Sequence, residues 1–266
     1  MEILGVEVDA VSVDDVWPAV ERWIRAGERK YVCVTGVHGI MESQADPGLL
    51  EIHNRSGLTV PDGMPLVWCG RYAGSKGIDR VYGPRMMIEV CRQAAESGVS
   101  CFLYGAAEGV PELLADRLRQ QIPGLQVAGS YSPPYGPLSA EQESEVIGMI
   151  EESGAGIVWV GLSTPKQERW MAEFCEKLTG PRVLFGVGAA FDINAGLIPD
   201  APEWVGRIGL NWLFRLALNA EFERLQGHGK SCLLDAGDEL LRACRAGRQL
   251  DTGPLGGEVD AGHDSR

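Results

Sequence analysis

A chain of 266 residues, 45% hydrophobic and 23% charged, has the composition of an ordinary globular protein, enough for one large α/β domain or two small ones, and is not a disordered, collagen-like or fibrous chain. With 24 Lys and Arg against 37 Asp and Glu, the formal charge of -13 excludes bulk nucleic-acid binding, because neutralising phosphates takes a basic face. Seven scattered cysteines, an odd number with no Cys-x-x-Cys pair and no His at ligand spacing, read as reduced core thiols rather than a zinc site or a disulfide framework.

Ile3 to Val8 reads as a first short strand, and Ser12 with Asp15 three residues on is a capping pattern that opens a helix through about Arg25. Tyr31 to Thr35 is a buried strand ending in Gly36-Val37-His38-Gly39; a helix, a restart at Asp46-Pro47 and a second helix to about Asn54 follow. Leu58 to Val60 is a strand that stops at Pro61-Asp62-Gly63. After a helix from Arg85 to Ser97, the strand Val99 to Tyr104, the loop Gly105 to Gly109 and the helix Val110 to Gln121 form a βα nucleotide-site pattern. Leu125 to Gly129 is a strand, Ser139 to Ser153 a helix, and Gly156 to Val160 a strand running into Gly161-Leu162-Ser163-Thr164-Pro165-Lys166-Gln167-Glu168. The last strand, Val183 to Val187, leads into Gly188-Ala189-Ala190-Phe191-Asp192.

This alternation of short apolar runs with helices predicts a mostly parallel sheet covered by helices on both faces. Ligands in such sheets bind at the carboxyl ends of strands, so the three glycine loops and the Asp62 loop are expected to converge on one crevice. Beyond residue 200 the character changes. Pro199 to Trp204 opens an arm whose segment Asn211 to Gln226 reads as a helix, with Phe214, Leu218, Phe222 and Leu225 on one face and Trp204, Trp212, Arg207, Arg215 and Arg224 interleaved. Cys232 to Gln249 is a further helix candidate, and the Gly- and Asp-rich end reads as disordered. The expected parse is a domain over 1–200, a helical appendage over 201–250 and a tail over 251–266. The start of the chain lacks a secretory pattern and no apolar stretch reaches spanning length, so a cytoplasmic location is expected.

Asp62, flanked by Pro61 and Gly63 at a strand end, is a carboxylate that a stiff turn would orient to take a proton from a hydroxyl; it is equally read as an Asx-turn acid capping the next helix. His38 ends the neighbouring strand, either facing the same crevice or serving as a capping histidine. Arg80 and Arg85 bracket Tyr82-Gly83-Pro84, a pattern for holding a phosphate or a sugar carboxylate, though solvated loop arginines are commoner. Gly105-x-x-x-Gly109 and Gly186-x-Gly188-x-x-Phe191 resemble phosphate-cradling turns, but neither completes a dinucleotide fingerprint, and no P-loop is present.

The order Val60-Pro61-Asp62-Gly63-Met64-Pro65-Leu66-Val67-Trp68, Arg80-Val81-Tyr82-Gly83, Gly161-Leu162-Ser163-Thr164-Pro165-Lys166-Gln167-Glu168, Gly186-Val187-Gly188-Ala189-Ala190-Phe191-Asp192, Ala201-Pro202-Glu203-Trp204 and Trp212-Leu213-Phe214-Arg215-Leu216 resembles the WecG/TagA/CpsF glycosyltransferases, glycosyltransferase family 26, from about Ile3 to Leu225. The resemblance implies a Rossmann-like α/β fold. It also implies an inverting, metal-independent transfer of a sugar, N-acetylmannosamine or a related hexose, from a UDP-sugar to a polyprenyl-diphosphate-linked saccharide during polysaccharide synthesis. Asp62 then matches the general base, with His38 and Arg80 as catalytic companions. Thr35, Gly36, Gly83, Gly105, Glu108, Gly161, Lys166, Gln167, Gly188, Phe191, Asp192, Arg207 and Arg215 are the substrate-binding candidates. No cofactor and no metal are expected: the chain has no Asp-x-Asp, so helix N-termini, glycine-loop amides and arginines are left to balance the diphosphate. The expected place of action is the inner face of the plasma membrane, peripherally on anionic lipid, with a homo-oligomer left open. The chain departs from the family at Val34-Thr35-Gly36, where many members have Thr-x-Asn, and at Asn211, where Glu is frequent. The alternative readings are a Rossmann-type NAD-dependent oxidoreductase and a non-catalytic membrane scaffold; a preference for UDP over NAD separates the first, nucleotide binding of any kind the second.

Overall fold

The computed structural model describes residues 1–180, 182–211, 213 and 214. The chain divides into two units, Met1–Lys230 and Ser231–Arg266, and every described residue belongs to the first. The expected helix Cys232 to Gln249, the tail after 250, and the arm residues Trp212, Arg215, Leu218, Phe222, Arg224 and Leu225 lie outside the described residues.

Where the sequence predicts one strand over Ile3 to Val8, the chain makes a small antiparallel hairpin, β1 (Glu2–Ile3) and β2 (Val6–Glu7), pairing Ile3 with Val6. Leu4 and Gly5 turn the corner at φ 49 and 80, two left-handed residues in succession, the geometry of a tight hairpin turn. A single 3₁₀ turn, Val13–Asp15, leads into α1 (Val16–Arg25). The Asp15 carboxylate accepts hydrogen bonds from the Ser12 backbone N–H at 2.8 Å and from its hydroxyl at 2.7 Å, so the predicted cap holds the entrance.

The remaining elements alternate: β3 (Arg29–Thr35), α2 (Val37–Ala45), α3 (Pro47–Asn54), β4 (Leu58–Pro61), α4 (Met64–Tyr72), α5 (Gly83–Glu96), β5 (Cys101–Gly105), α6 (Val110–Gln121), β6 (Val127–Tyr131), α7 (Ala140–Ser153), β7 (Ile157–Gly161), α8 (Lys166–Lys177), β8 (Arg182–Gly186), α9 (Ala190–Asn194) and α10 (Glu203–Arg207). Six of the strands form one sheet in the order β4-β3-β8-β7-β5-β6, and every pair is parallel. The α6 boundaries match the sequence expectation, because left-handed Gly109 (φ 82) precedes Val110 and Pro111 at a helix start where its missing N–H costs nothing. The sequence reading assigned no helix at Lys166–Lys177, since the Pro-Lys-Gln-Glu stretch reads as loop. Its apolar stripe of Trp170, Met171 and Phe174 is what makes it helical and buried.

Side chains alternate between two packed layers. Val32, Val34, Val60, Leu103, Trp159 and Phe185 face α1, α5, α6 and α9, where the Trp159 and Phe185 rings lie 4.6 Å apart. Tyr31, Cys33, Tyr104, Val158 and Leu184 face α7 and α8, and Tyr104, Trp170 and Phe174 stack in sequence at 4.2 and 4.0 Å. A fully buried ring of this size contributes about 1.5–3 kcal/mol, so the two layers carry most of the driving force for folding.

Two buried features of this frame are directly testable. Arg182, 4% exposed at the start of β8, donates to Glu151 Oε2 at 3.0 Å, while the Thr179 backbone N–H donates to Glu151 Oε1 at 2.7 Å. Burial pushes the Glu151 carboxyl up, but the Thr179 N–H and the Arg182 guanidinium outweigh it and hold the group below its ordinary 4.5. A folded pKa below the unfolded one means that the contribution to stability is complete above the unfolded value and disappears as pH falls through the folded value. Glu151→Gln is therefore expected to flatten the acid limb of stability against pH, measured by urea unfolding from about pH 7 down to about pH 3; an unchanged slope would contradict the assignment.

Gly105 ends β5 beside Gly161 of β7. Its φ is 116, and a Cβ there would stand 2.7 Å from the Gly161 carbonyl oxygen, backbone that cannot rotate away. Gly109, at φ 82, has nothing within 4 Å of the equivalent position. Gly109→Ala should cost only left-handed strain, about 1–2 kcal/mol, and Gly105→Ala clearly more in the same denaturation experiment. Equal losses would mean that the strand contact is looser than drawn.

Candidate active site

Parallel pairing sends all six carboxyl ends to one edge of the sheet, and the candidate residues are distributed along it. At β4, Pro61 pairs with Thr35 of β3, and the Asp62 backbone N–H donates to the Thr35 carbonyl at 2.9 Å. The Asp62 carboxylate accepts from the Gly83 backbone N–H at 3.2 Å through Oδ1, and its carbonyl accepts from Arg80 Nε at 2.8 Å. The turn before α5 thus clamps the Asp62 loop from two directions. The Arg80 guanidinium also lies over the Tyr82 ring, 4.2 Å from its centre, a favourable cation–π geometry.

Three residues outside the sequence's candidate site set, Tyr82, Asp200 and Gly206, complete this corner. The Tyr82 hydroxyl donates to Asp200 Oδ1 at 2.5 Å, tying the segment before α10 to the same turn. Gly206, in α10, lies against the guanidinium so closely that a Cβ there would meet Arg80 Nη1 at 2.6 Å. The Asp200–Tyr82 pair spans 118 positions and carries no local signal; the Gly206 approach has none either.

The β7–β8 part of the edge has its own cluster. Val187 and Gly188 donate from their backbone N–H groups to the Val160 carbonyl, and Gly161 leads into left-handed Ser163 and a cis Thr164-Pro165 bond before α8. Gln167 and Glu168, in the first turn of α8, are 3% and 1% exposed. The glycines here serve close packing: a Cβ at Gly186 would meet Met171 Cε at 2.6 Å and Gln167 Cδ at 3.1 Å, and one at Gly161 would meet the Phe191 ring at 2.8 Å.

Other candidates lie apart from Asp62. Strand order puts Gly105 and Glu108 four strands away from it, about 19 Å at 4.8 Å per strand, so one phosphate cannot touch both. His38 sits in the first turn of α2, not at the strand end, and it is exposed with Nδ1 3.9 Å from Glu42. Thr35 is buried and its hydroxyl bonds His53 Nε2 at 3.0 Å, while His53 Nδ1 lies 3.0 Å from the Leu49 carbonyl; its role in the structure is to join β3 to α3. Phe191 is fully buried core. Lys166 is exposed, with its ammonium 5.3 Å from the Tyr135 ring centre. Asp192 is half-buried in α9, and burial raises its carboxyl above the ordinary 3.8. Gly36 caps α2, Gly83 opens α5, Arg207 closes α10, and Arg215 lies outside the described residues. Among the described residues no three acidic, histidine or cysteine side chains gather to hold a metal ion.

Comparison with known proteins adds the following. The model of the Glycosyl transferase WecG/TagA/CpsF family matches residues 1–225. A Bacillus subtilis (strain 168) protein named N-acetylglucosaminyldiphosphoundecaprenol N-acetyl-beta-D-mannosaminyltransferase is 28% identical over 174 residues, 65% of this chain and 66% of that one. Its namesake from Bacillus spizizenii (strain ATCC 23059 / NRRL B-14472 / W23) is 28% identical over 178 residues, 67% of each chain. The match thus spans about two thirds of each relative. With the family model covering all but the last 41 residues of the chain, and with the parallel α/β sheet in place, this protein belongs to the Glycosyl transferase WecG/TagA/CpsF family.

Proposed function

We propose that this protein is an inverting glycosyltransferase that moves a sugar, N-acetylmannosamine or a related hexose, from a UDP-sugar to a polyprenyl-diphosphate-linked saccharide, without a metal and with Asp62 as the general base. The observation that carries this reading is the clamp on Asp62: a carboxylate at the carboxyl edge, oriented by the Gly83 N–H, with Arg80 fixed on its own carbonyl. The names of the two relatives support the acceptor class and the donated sugar.

In this reading an acceptor hydroxyl hydrogen-bonds the Asp62 carboxylate and passes it a proton as the oxygen bonds to the anomeric carbon. The bond from that carbon to the UDP oxygen breaks on the opposite face, and the anomeric configuration inverts. Negative charge builds on the departing diphosphate. Arg80 is a cation held at this corner, and the backbone N–H groups that open α2 and α4 add partial positive charge on the same side. Preorganisation favours this arrangement, since the Arg80 side chain is already held by the Asp62 carbonyl and the Tyr82 ring.

The lipid-linked acceptor calls for contact with a membrane surface. None of the helices among the described residues is long and apolar enough to cross a membrane. Trp204 and Ile208, 65% and 50% exposed at α10, support a peripheral approach to anionic lipid at the inner face of the plasma membrane.

Asp62→Asn keeps the shape of the side chain but cannot take the proton. Transfer is expected to fall by ~10²-fold or more in a coupled assay with a soluble prenyl-diphosphate acceptor, while UDP binding by calorimetry persists; near-normal turnover would sink the assignment. Replacing both Trp204 and Ile208 by Ser should lower co-sedimentation with anionic vesicles and leave UDP binding intact. Sedimentation equal to that of the unaltered protein would remove α10 from the membrane reading.

A further inference from the structure

An arginine that balances a diphosphate has to be held still without being neutralised. The acid next to Arg80 in the chain, Asp79, accepts the Arg80 backbone N–H at 2.8 Å but sets its carboxylate 3.3 Å from the Arg71 guanidinium. What covers the Arg80 guanidinium is the face of Tyr82, 4.2 Å from the ring centre. A carboxylate partner would cancel the charge, whereas a ring face fixes the plane of the guanidinium and leaves its outer N–H groups to a ligand. The ring is itself held from far along the chain. Its hydroxyl donates to Asp200 Oδ1 at 2.5 Å, a charge-assisted bond, and the same oxygen accepts from the Ala201 backbone N–H at 2.8 Å, which fixes it in place. The stretch that carries Asp200 is braced in turn: Asn194 Nδ2 donates to the Pro84 carbonyl at 3.1 Å, and the Leu197 N–H donates to the Asp192 carbonyl at 2.8 Å. Pro202 then opens α10, whose Gly206 backs the guanidinium.

We propose that Asp200 and Tyr82 are positioning residues for Arg80, so that the connection between α9 and α10 sets the charge that faces the leaving group. The inference rests on the glycosyl-transfer reading above and deepens it. The Asp200 carboxylate holds the phenol, the ring holds the plane of the guanidinium, and the guanidinium presents its charge as the bond to the anomeric carbon breaks. Neither positioning residue has to touch a substrate. If Asp200 lets go, Tyr82 becomes a loop side chain free to change rotamer, and Arg80 keeps only its Nε bond to the Asp62 carbonyl. Gly206 belongs to the same device: without a side chain it lets α10 close on Arg80 Nη1. Negative charge on the leaving group is greatest in the transition state, so a misplaced Arg80 lowers turnover more than it weakens substrate binding.

The test is steady-state transfer from UDP-N-acetylmannosamine to a soluble prenyl-diphosphate-linked N-acetylglucosamine by the full-length protein, with kcat and both KM values read separately. Tyr82→Leu removes ring and hydroxyl and is expected to lower kcat about tenfold. Tyr82→Phe and Asp200→Ala break only the tether and are expected to lower it about threefold. Asp200→Asn still offers Oδ1 to the phenol and is expected to recover most of that loss. Both KM values are expected to stay within about twofold of those of the unaltered protein. In an Arg80→Ala background the same changes are expected to have no further effect, because the group they position is gone; residues that merely support the fold would lower activity there too. If Tyr82→Leu fails to fold, Tyr82→Phe and the two variants of exposed Asp200 carry the cycle. Full turnover for Tyr82→Leu or Asp200→Ala, losses confined to KM, or losses that persist without Arg80 overturn the positioning role while the glycosyl-transfer reading stands. Unaltered protein that transfers no sugar overturns that reading and the proposal with it.

Discussion

Parallel pairing of the six sheet strands is the constraint from which the rest follows. It places every carboxyl end on one edge, and it requires each return of the chain to cross a face of the sheet. The faces used are not the same all along the sheet. The helices after β3 pack on the face shared with α8, whereas α9, after the neighbouring β8, packs on the other face. Between such strands the chain leaves in opposite directions and a crevice opens. Asp62 stands one strand from that point, its loop held by the turn that opens α5 and its partner Arg80 lying against Gly206 of α10.

Beneath the edge, polar groups are buried in small networks that link one element to the next. Thr35 and His53 join β3 to α3, Thr164, Gln167 and Glu168 stiffen the entrance to α8, and Arg182 with Glu151 ties the start of β8 to the end of α7. In a low-dielectric interior such groups are stable only with good partners, and when paired they permit one arrangement. Two of these networks hold the loops at the carboxyl edge. The rigidity of the proposed site therefore comes from side chains that need never touch a substrate.

Much of this was legible from residue order. Local signals located α6, whose glycine and proline mark its start, and the cap at Ser12 and Asp15, because those contacts reach only a few residues along the chain. The glycine-ended strands located the loops of the carboxyl edge, and the Pro-Asp-Gly turn marked Asp62 as its candidate carboxylate. What stayed hidden depended on long-range contact. Thr35 looks like a binding hydroxyl until His53 is seen against it, and Phe191 looks like part of a phosphate turn until its ring is found on Gly161. The hairpin over β1 and β2 was missed because Leu4, a residue that seldom takes a left-handed φ, does so there. The wide spacing of Asp62 and Gly105 follows from strand order, which no local pattern encodes.

A crystal structure with UDP bound would test the central claim most directly, that the nucleotide sits at the carboxyl edge beside Asp62. The diphosphate is expected within hydrogen-bond reach of Arg80, with the face of its terminal phosphate open toward the Asp62 carboxylate. UDP bound instead in the 290 Å³ hollow lined by Arg85, Glu89, Arg92 and Asn194, or beside Glu108 with Arg80 untouched, would contradict it.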